Sequence, residues 1–435
     1  MAVGKTVAAT DISVGVIRKA RNRLIPLLFV LYLIAVLDRT NIGFAALTMN
    51  ADLGITSTQF GLLTGVFFWG YCLFEIPSNL LLHKIGARTW IARILVSWGI
   101  VAMLTGFVRN APQLYAARFL LGVAEAGYYP GILLYLTYWF RRREQARIIA
   151  LFMMAFPFSN IIGAPVSGLI LDHAHWLALA SWRWLLILEA LPAIAGGVVT
   201  YFLLPSRPAE AEFLSVREKD WITATLNQEK SEKVGEELSA WRALAHRRVW
   251  HLALISFTYQ ISGYAIVFWM PQAVKSLSSL YSNTVVGILV MIPYLAGLIV
   301  MILVSRSSDR TLERRYHAAI PLVVGGIALI LLGTTNSPRL SIALCTLAGM
   351  GYLGFNGPFW SLPNDFLTNA AAASGIALIT SIGSLGGFVG PSIVGAAASG
   401  RGGIYRGLAI AGVSFFVSAT LMVLLPKKAR PASKS

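Results

Sequence analysis

The chain has 435 residues, 56% of them hydrophobic and 13% charged, with a formal net charge of +17. A water-soluble domain carries roughly 25% charged residues, so this composition excludes a soluble globular protein. The net charge alone would suggest a nucleic-acid partner, but the basic residues cluster in short segments between apolar stretches, and no nucleic-acid role is expected.

In chain order, residues 1–23 are polar and read as a cytoplasmic tail. They have no apolar core followed by a small-residue cleavage site, so they are not a cleaved signal peptide, and the first span itself must direct insertion. Apolar stretches long enough to cross a bilayer as helices then recur near residues 24–47, 59–82, 90–108, 112–139, 146–170, 183–204, 250–272, 284–304, 316–334, 340–361, 372–397 and 404–425. The expected fold is an all-α membrane protein of twelve transmembrane helices. They form two six-helix halves, residues 24–204 and 249–426, joined by a cytoplasmic linker at 205–248 and ending in a tail at 427–435. Two such halves imply a parallel repeat around a central cavity. With the N-terminus inside, 28 of the 36 Lys and Arg fall on the inner side, which places both termini in the cytoplasm by the positive-inside rule.

A charge in hydrocarbon costs at least about 2.5–3.5 kcal/mol on insertion scales, so ionisable residues within spans are functional candidates. Span 1 carries Asp38 and Arg39, span 2 Glu75, span 4 Arg118 and Glu125, and span 6 Glu189. At about 1.5 Å of rise per residue, Asp38 and Arg39 lie roughly 20 Å above the inner end of span 1. Arg118 lies at a similar level, and Glu125 is about 10 Å deeper on the same face of span 4. Two guanidinium groups at one depth can hold a carboxylate by bidentate hydrogen bonds, and the neighbouring carboxylates are the natural proton carriers. The alternative is a structural ion pair, Asp38 with Arg118 or Arg39 with Glu125. Glu75, ahead of Ile76-Pro77-Ser78-Asn79, and Glu189, ahead of Pro192, read as packing or helix-capping residues.

Short basic loops follow span 2 (His83-Lys84-Ile85-Gly86-Ala87-Arg88) and span 8 (Ser308-Asp309-Arg310-Thr311), suited to clamp neighbouring helix ends. Within the linker, Val216 to Gln228 reads either as an amphipathic surface helix or as solvated chain. Cys72 and Cys345 lie in apolar spans and read as packing residues. His173 and His175 read as solvated loop residues, and Gly4-Lys5-Thr6 lacks the setting of a P-loop. No cofactor and no metal are expected.

The same residues carry a resemblance. Leu37-Asp38-Arg39-Thr40-Asn41-Ile42-Gly43-Phe44-Ala45, Ile76-Pro77-Ser78-Asn79, Gly86-Ala87-Arg88, the run from Arg118 to Gly127 continuing to Pro130-Gly131, Tyr138-Trp139-Phe140, and Gly386 to Pro391 are similar to the anion:cation symporter family of the major facilitator superfamily. The resemblance runs nearly end to end. It implies proton-coupled import of organic acids such as sugar acids, tartrate-like dicarboxylates or aromatic carboxylates. It implies proton binding by Asp38 and Glu125, contact of Arg39 with the substrate carboxylate, and coupling through Arg118. Tyr71, Gln260, Trp360 and Thr380 are further candidate substrate contacts. Ile379-Thr380-Ser381 and Ser384 stand where many relatives carry Asn, which puts a sugar-acid preference in doubt. Phe67, Phe68, Trp69, Tyr128, Tyr129, Phe268, Trp269 and Phe359 are placed to pack against a ring.

The expected partners are thus a small organic anion, protons and membrane lipid, for a monomer in the inner (cytoplasmic) membrane. The rival is a proton-driven antiporter, since Gly163-Ala164-Pro165-Val166-Ser167-Gly168 partly resembles a motif of drug exporters, although small residues at that spacing also permit close helix contact. Alternating access is expected, with glycines and prolines of spans 5, 8, 10 and 11, such as Gly357-Pro358 and Pro363, as bending points.

Overall fold

The computed structural model describes residues 2–231, 245–335, 337–363, 369–400 and 403–426. Hydrocarbon offers no hydrogen bonds to a peptide group, so an apolar run crossing it must satisfy its backbone internally, and the helix does this within one segment. Among the described residues, 12 helical spans are long and apolar enough to cross a membrane: Ile12–Asp52, Ser57–Ile85, Ala87–Thr105, Ala111–Thr137, Arg143–His173, Ser181–Leu203, Arg247–Lys275, Asn283–Thr311, Arg315–Leu332, Pro338–Ser361, Gly375–Ala398 and Gly403–Val423. They are spans 1 to 12 below. The face that carries the linker is the basic face.

The first helix begins at Ala2 and reaches Thr40, so the expected polar tail is a helical extension of span 1. The linker forms a helix over Val216–Ser231, and it is docked: Lys19 Nζ lies 2.8 Å from Glu218, and the Arg141 guanidinium sits over the Trp221 ring. The charged stretch at Glu236 and Glu237 lies outside the described residues.

Both basic loops hold helix ends, as expected of them. Arg88 Nε donates to the Leu204 carbonyl at 2.8 Å, and Asp309 pairs with Arg314 at 2.5 Å. The interruptions match the expected bending points in spans 5 and 10, the latter two residues before Gly357, but not in spans 8 and 11, and spans 1 and 4 break where none was expected. The helix is interrupted in span 1 at Asn41, in span 4 at Ala126–Gly127, in span 5 at Met154 and in span 10 at Phe355. Span 8 continues through Pro293 and span 11 through Pro391.

The first six spans meet the last six through glycines that let backbones approach closely. Gly61 of span 2 abuts Pro391, Ser392 and Gly395 of span 11, Gly168 of span 5 abuts Asn283 and Thr284 of span 8, and Gly43 of span 1 abuts the Phe268 backbone of span 7. The contacts at Gly61 and Gly168 lie near span ends on the face opposite the linker. On that side the two sets of spans are packed shut.

Candidate functional site

The centre of the molecule is built from the charges of spans 1 and 4. Residues 38 and 39 are successive on a helix and therefore point to different neighbours. Arg39 turns towards span 4, where it holds Glu125 through Nε at 3.1 Å and through a second, closer contact from Nη2. Asp38 turns towards span 3, where the Trp98 indole donates to it at 2.7 Å. Of the two ion pairs left open by the sequence, only Arg39 with Glu125 forms. Span 4 breaks immediately after Glu125: Gly127 adopts φ +82°, and its Cα lies so near Ser78 that a Cβ would overlap that side chain. The break leaves Glu125 at a helix end beside the Arg39 fork.

Arg118 is 1% exposed, and its Nε and Nη2 have no hydrogen-bond partner. Its guanidinium carbon is 5.1 Å from the Phe67 ring centre, and that of Arg39 is 5.4 Å from the same ring. Phe67 therefore lies beneath both cations, whose π-face attraction adds to its apolar contact. The Tyr71 ring is 5.3 Å from the Arg39 guanidinium carbon. One turn of helix thus separates the two aromatic supports of Arg39, as Phe67 and Tyr71 stack along span 2.

The other candidates are more distant in role. The Gln260 Oε1 is buried without a donor. The Thr380 hydroxyl is spent on the Ile376 and Ala377 carbonyls of its own helix. Trp360 meets Phe359 edge to face, at the end of a stack running through Phe355 to Tyr259. Of the aromatic candidates, Trp69 is half exposed on the outer surface of the bundle, while Trp269 donates to the Pro391 carbonyl at 3.1 Å and packs on Phe60.

Glu75 and Glu189 do not cap helices. Glu75 accepts from the Ser381 hydroxyl of span 11 at 3.0 Å, a polar bond between the first and last six spans. Glu189 accepts from Ser167 of span 5 at 2.7 Å. Tyr264 of span 7, which the sequence did not single out, packs its ring against Phe68 and Phe268 within electrostatic reach of Arg39; no local signal in the sequence marks it. Asp172 was also unmarked. Its carboxylate accepts four hydrogen bonds, from the backbone and side chain of Asn283 and of Thr284. Among the described residues, no group of three or more His, Cys, Asp or Glu side chains is arranged to hold a metal. His173 and His175 face backbone carbonyls of their own segment.

Twelve spans around buried, oppositely charged pairs describe many carriers, but one comparison decides the family: residues 28–391 match the family model described as Major Facilitator Superfamily. The chain belongs to the Major Facilitator Superfamily. It is 44% identical over 421 residues to a putative tartrate transporter of Agrobacterium vitis, covering 97% of this chain and 96% of that one. It is 38% identical over 399 residues to a quinolone resistance transporter of Acinetobacter baumannii, covering 92% of each. Its backbone superposes on the crystal structure of a D-xylose-proton symporter with a TM-score of 0.73 at 15% identity, covering 92% of this chain and 96% of that one. The resemblance to the anion:cation symporter type is consistent with these relatives. As a member of the Major Facilitator Superfamily the protein is a multi-pass membrane transporter and not an enzyme.

Proposed function

We propose that this transporter imports a small organic anion together with protons, and that the anion is a tartrate-like dicarboxylate, a sugar acid or an aromatic carboxylate. The observation that carries the proposal is the buried Arg118 guanidinium with two nitrogens lacking an acceptor, next to an Arg39 that a carboxylate already holds. An uncompensated buried cation is costly, and an organic carboxylate arriving at Arg118 supplies the missing acceptors in bidentate form.

The coupling follows from competition. Ionised Glu125 occupies Arg39; a proton on Glu125 removes the negative charge and leaves the fork free for substrate. Proton and anion therefore favour each other's binding. Loss of the proton on the cytoplasmic side lets Glu125 reclaim Arg39 and displaces the anion. Tyr71 supports Arg39 from below. Gln260 is assigned an amide contact to the substrate, and Trp360 and Thr380 further contacts from spans 10 and 11, Thr380 as an acceptor because its proton is engaged.

The two halves, residues 24–204 and 249–426, rock about this site as a monomer in the inner membrane, with the termini, the linker and the tail at 427–435 in the cytoplasm. The relative named as a tartrate transporter supports a dicarboxylate. A thermal-shift screen of the purified protein against tartrate, sugar acids and aromatic acids tests the substrate class, since a ligand that binds only the folded state raises its stability. Stabilisation by none of the three classes would overturn the anion reading.

The relative named as a quinolone resistance transporter favours a second reading, export in exchange for protons. Proteoliposomes with an imposed pH gradient separate the two. Symport drives anion towards the alkaline compartment, whereas antiport drives the solute towards the acidic one.

A further inference from the structure

Beside the Arg39–Glu125 pair lies a second buried polar cluster that this mechanism does not use. It consists of Asp38, Asn41, Trp98, Ser167 and Glu189, each buried to nine-tenths or more. Trp98 serves one oxygen of Asp38 and Ser167 one oxygen of Glu189. The other oxygens, Asp38 Oδ1 and Glu189 Oε2, have no partner, and neither does Asn41 Nδ2. Asn41 faces Glu189 without closing a bond of ordinary geometry, and Glu189 lies within electrostatic reach of Asp38. Asn41 and Ser167 also line a small cavity between spans 1, 5, 7 and 8, together with Thr40, Ser159 and Asn160.

Among the described residues, no cation is paired with this cluster. Arg39 is held by Glu125; Arg118 lies over Phe67; Arg93 of span 3 lies over Trp90; and Arg183 of span 6 donates to the Gly106 and Val108 carbonyls at the span ends. Two carboxylates buried together without a cation repel one another and lack solvation, so both cannot be ionised at once, as in carboxyl dyads that share a proton.

We propose that Glu189 is a proton-binding residue of the carrier, sharing a proton with Asp38 through the Asn41 and Ser167 pocket and separate from the Arg39–Glu125 pair. The proton moves from a Glu189 carboxyl oxygen to an Asp38 carboxylate oxygen, or the reverse, so that one group is neutral whenever the other is ionised. Its part in transport rests on the proton-coupled reading above; the proton itself does not.

Infrared difference spectroscopy of the purified full chain, titrated from acid to alkaline pH, reads protonated carboxyl groups directly and needs no substrate. The expected result is a protonated-carboxyl band component, distinct from those of the other buried carboxyls Asp38, Glu75 and Glu125, that Glu189→Gln removes and Glu125→Gln leaves in place. In Asp38→Asn the band persists, but its midpoint moves to lower pH by about tenfold in proton concentration or more, because the neighbouring negative charge is gone. A band unchanged in Glu189→Gln overturns the proposal. Thermal unfolding checks that Glu189→Gln folds; if it does not, the Asp38→Asn midpoint decides, and an unshifted midpoint overturns the proposal. Bands that behave as expected in a protein without pH-driven uptake would reject the symport reading while leaving this site standing.

Discussion

At the scale of the residue, the two arginines differ in occupancy. Arg39 is neutralised by Glu125, and Arg118 rests on an aromatic ring with open donors. Removing a partner from a buried charge pair typically costs about 3–5 kcal/mol, so Glu125→Ala should damage folding and say little about transport. Glu125→Gln retains a carbonyl acceptor for Arg39 and mimics the protonated acid. It is expected to keep anion exchange in proteoliposomes and to lose accumulation driven by a pH gradient; retained pH-driven accumulation would exclude Glu125 from coupling. Arg118→Ala removes charge-assisted hydrogen bonds worth about 1.5–3 kcal/mol each, so binding of the stabilising anion should weaken by at least about a hundredfold in a titration. Unaltered affinity would move the anion site away from Arg118. The four charges Asp38, Arg39, Arg118 and Glu125 were legible in the sequence because hydrocarbon makes any ionisable residue conspicuous. Their pairing was not, since neighbours on a helix diverge by about 100°, and a list of residues cannot say that Asp38 meets Trp98 while Arg39 meets Glu125.

At the scale of the element, the spans were legible and their interruptions only in part. Long apolar runs set where helices cross, whereas a break depends on what faces it. Prolines in spans 8 and 11 leave the helix intact, because local adjustments and neighbouring groups re-satisfy a missing backbone donor inside a bundle. Span 4 instead breaks at Gly127, where the chain takes a left-handed conformation against Ser78. Gly54 also has a positive φ, of +62°, but a Cβ there meets open space. Alanine at either position pays the left-handed penalty of roughly 1–2 kcal/mol, and only Gly127→Ala adds a clash beside Glu125. Thermal unfolding should therefore show Gly127→Ala lowering the melting temperature more than Gly54→Ala, with loss of pH-driven uptake in the first alone. Equal melting shifts and equal transport would show that the break does not position Glu125. The linker makes the same point about legibility. Its amphipathic pattern allowed a helix, but its docking through Lys19 and Arg141 depends on residues far away in the chain.

At the scale of the whole molecule, the side opposite the linker is closed by the glycine contacts at Gly61 and Gly168 and by one carboxylate. Asp172, at the end of span 5, caps the start of span 8 with four hydrogen bonds, two of them from backbone amides. Helix N-termini attract negative charge, and loss of a capping side chain typically costs about 0.5–2 kcal/mol. Because spans 5 and 8 belong to opposite halves, that energy acts on closure and leaves the folding of each half largely untouched. A two-state equilibrium shifts tenfold for about 1.4 kcal/mol, so Asp172→Ala should raise the open population several-fold. The sequence leaves Asp172 unmarked, since its partners lie more than a hundred residues away. The check is labelling of Val290→Cys, a buried position on span 8 facing span 5, by a membrane-impermeant maleimide in a background where Cys72 and Cys345 are Ser. Asp172→Ala should accelerate labelling several-fold and Asp172→Asn less, because an amide oxygen still accepts from Thr284. An unchanged rate in both variants would mean that the glycine contacts alone hold this face shut.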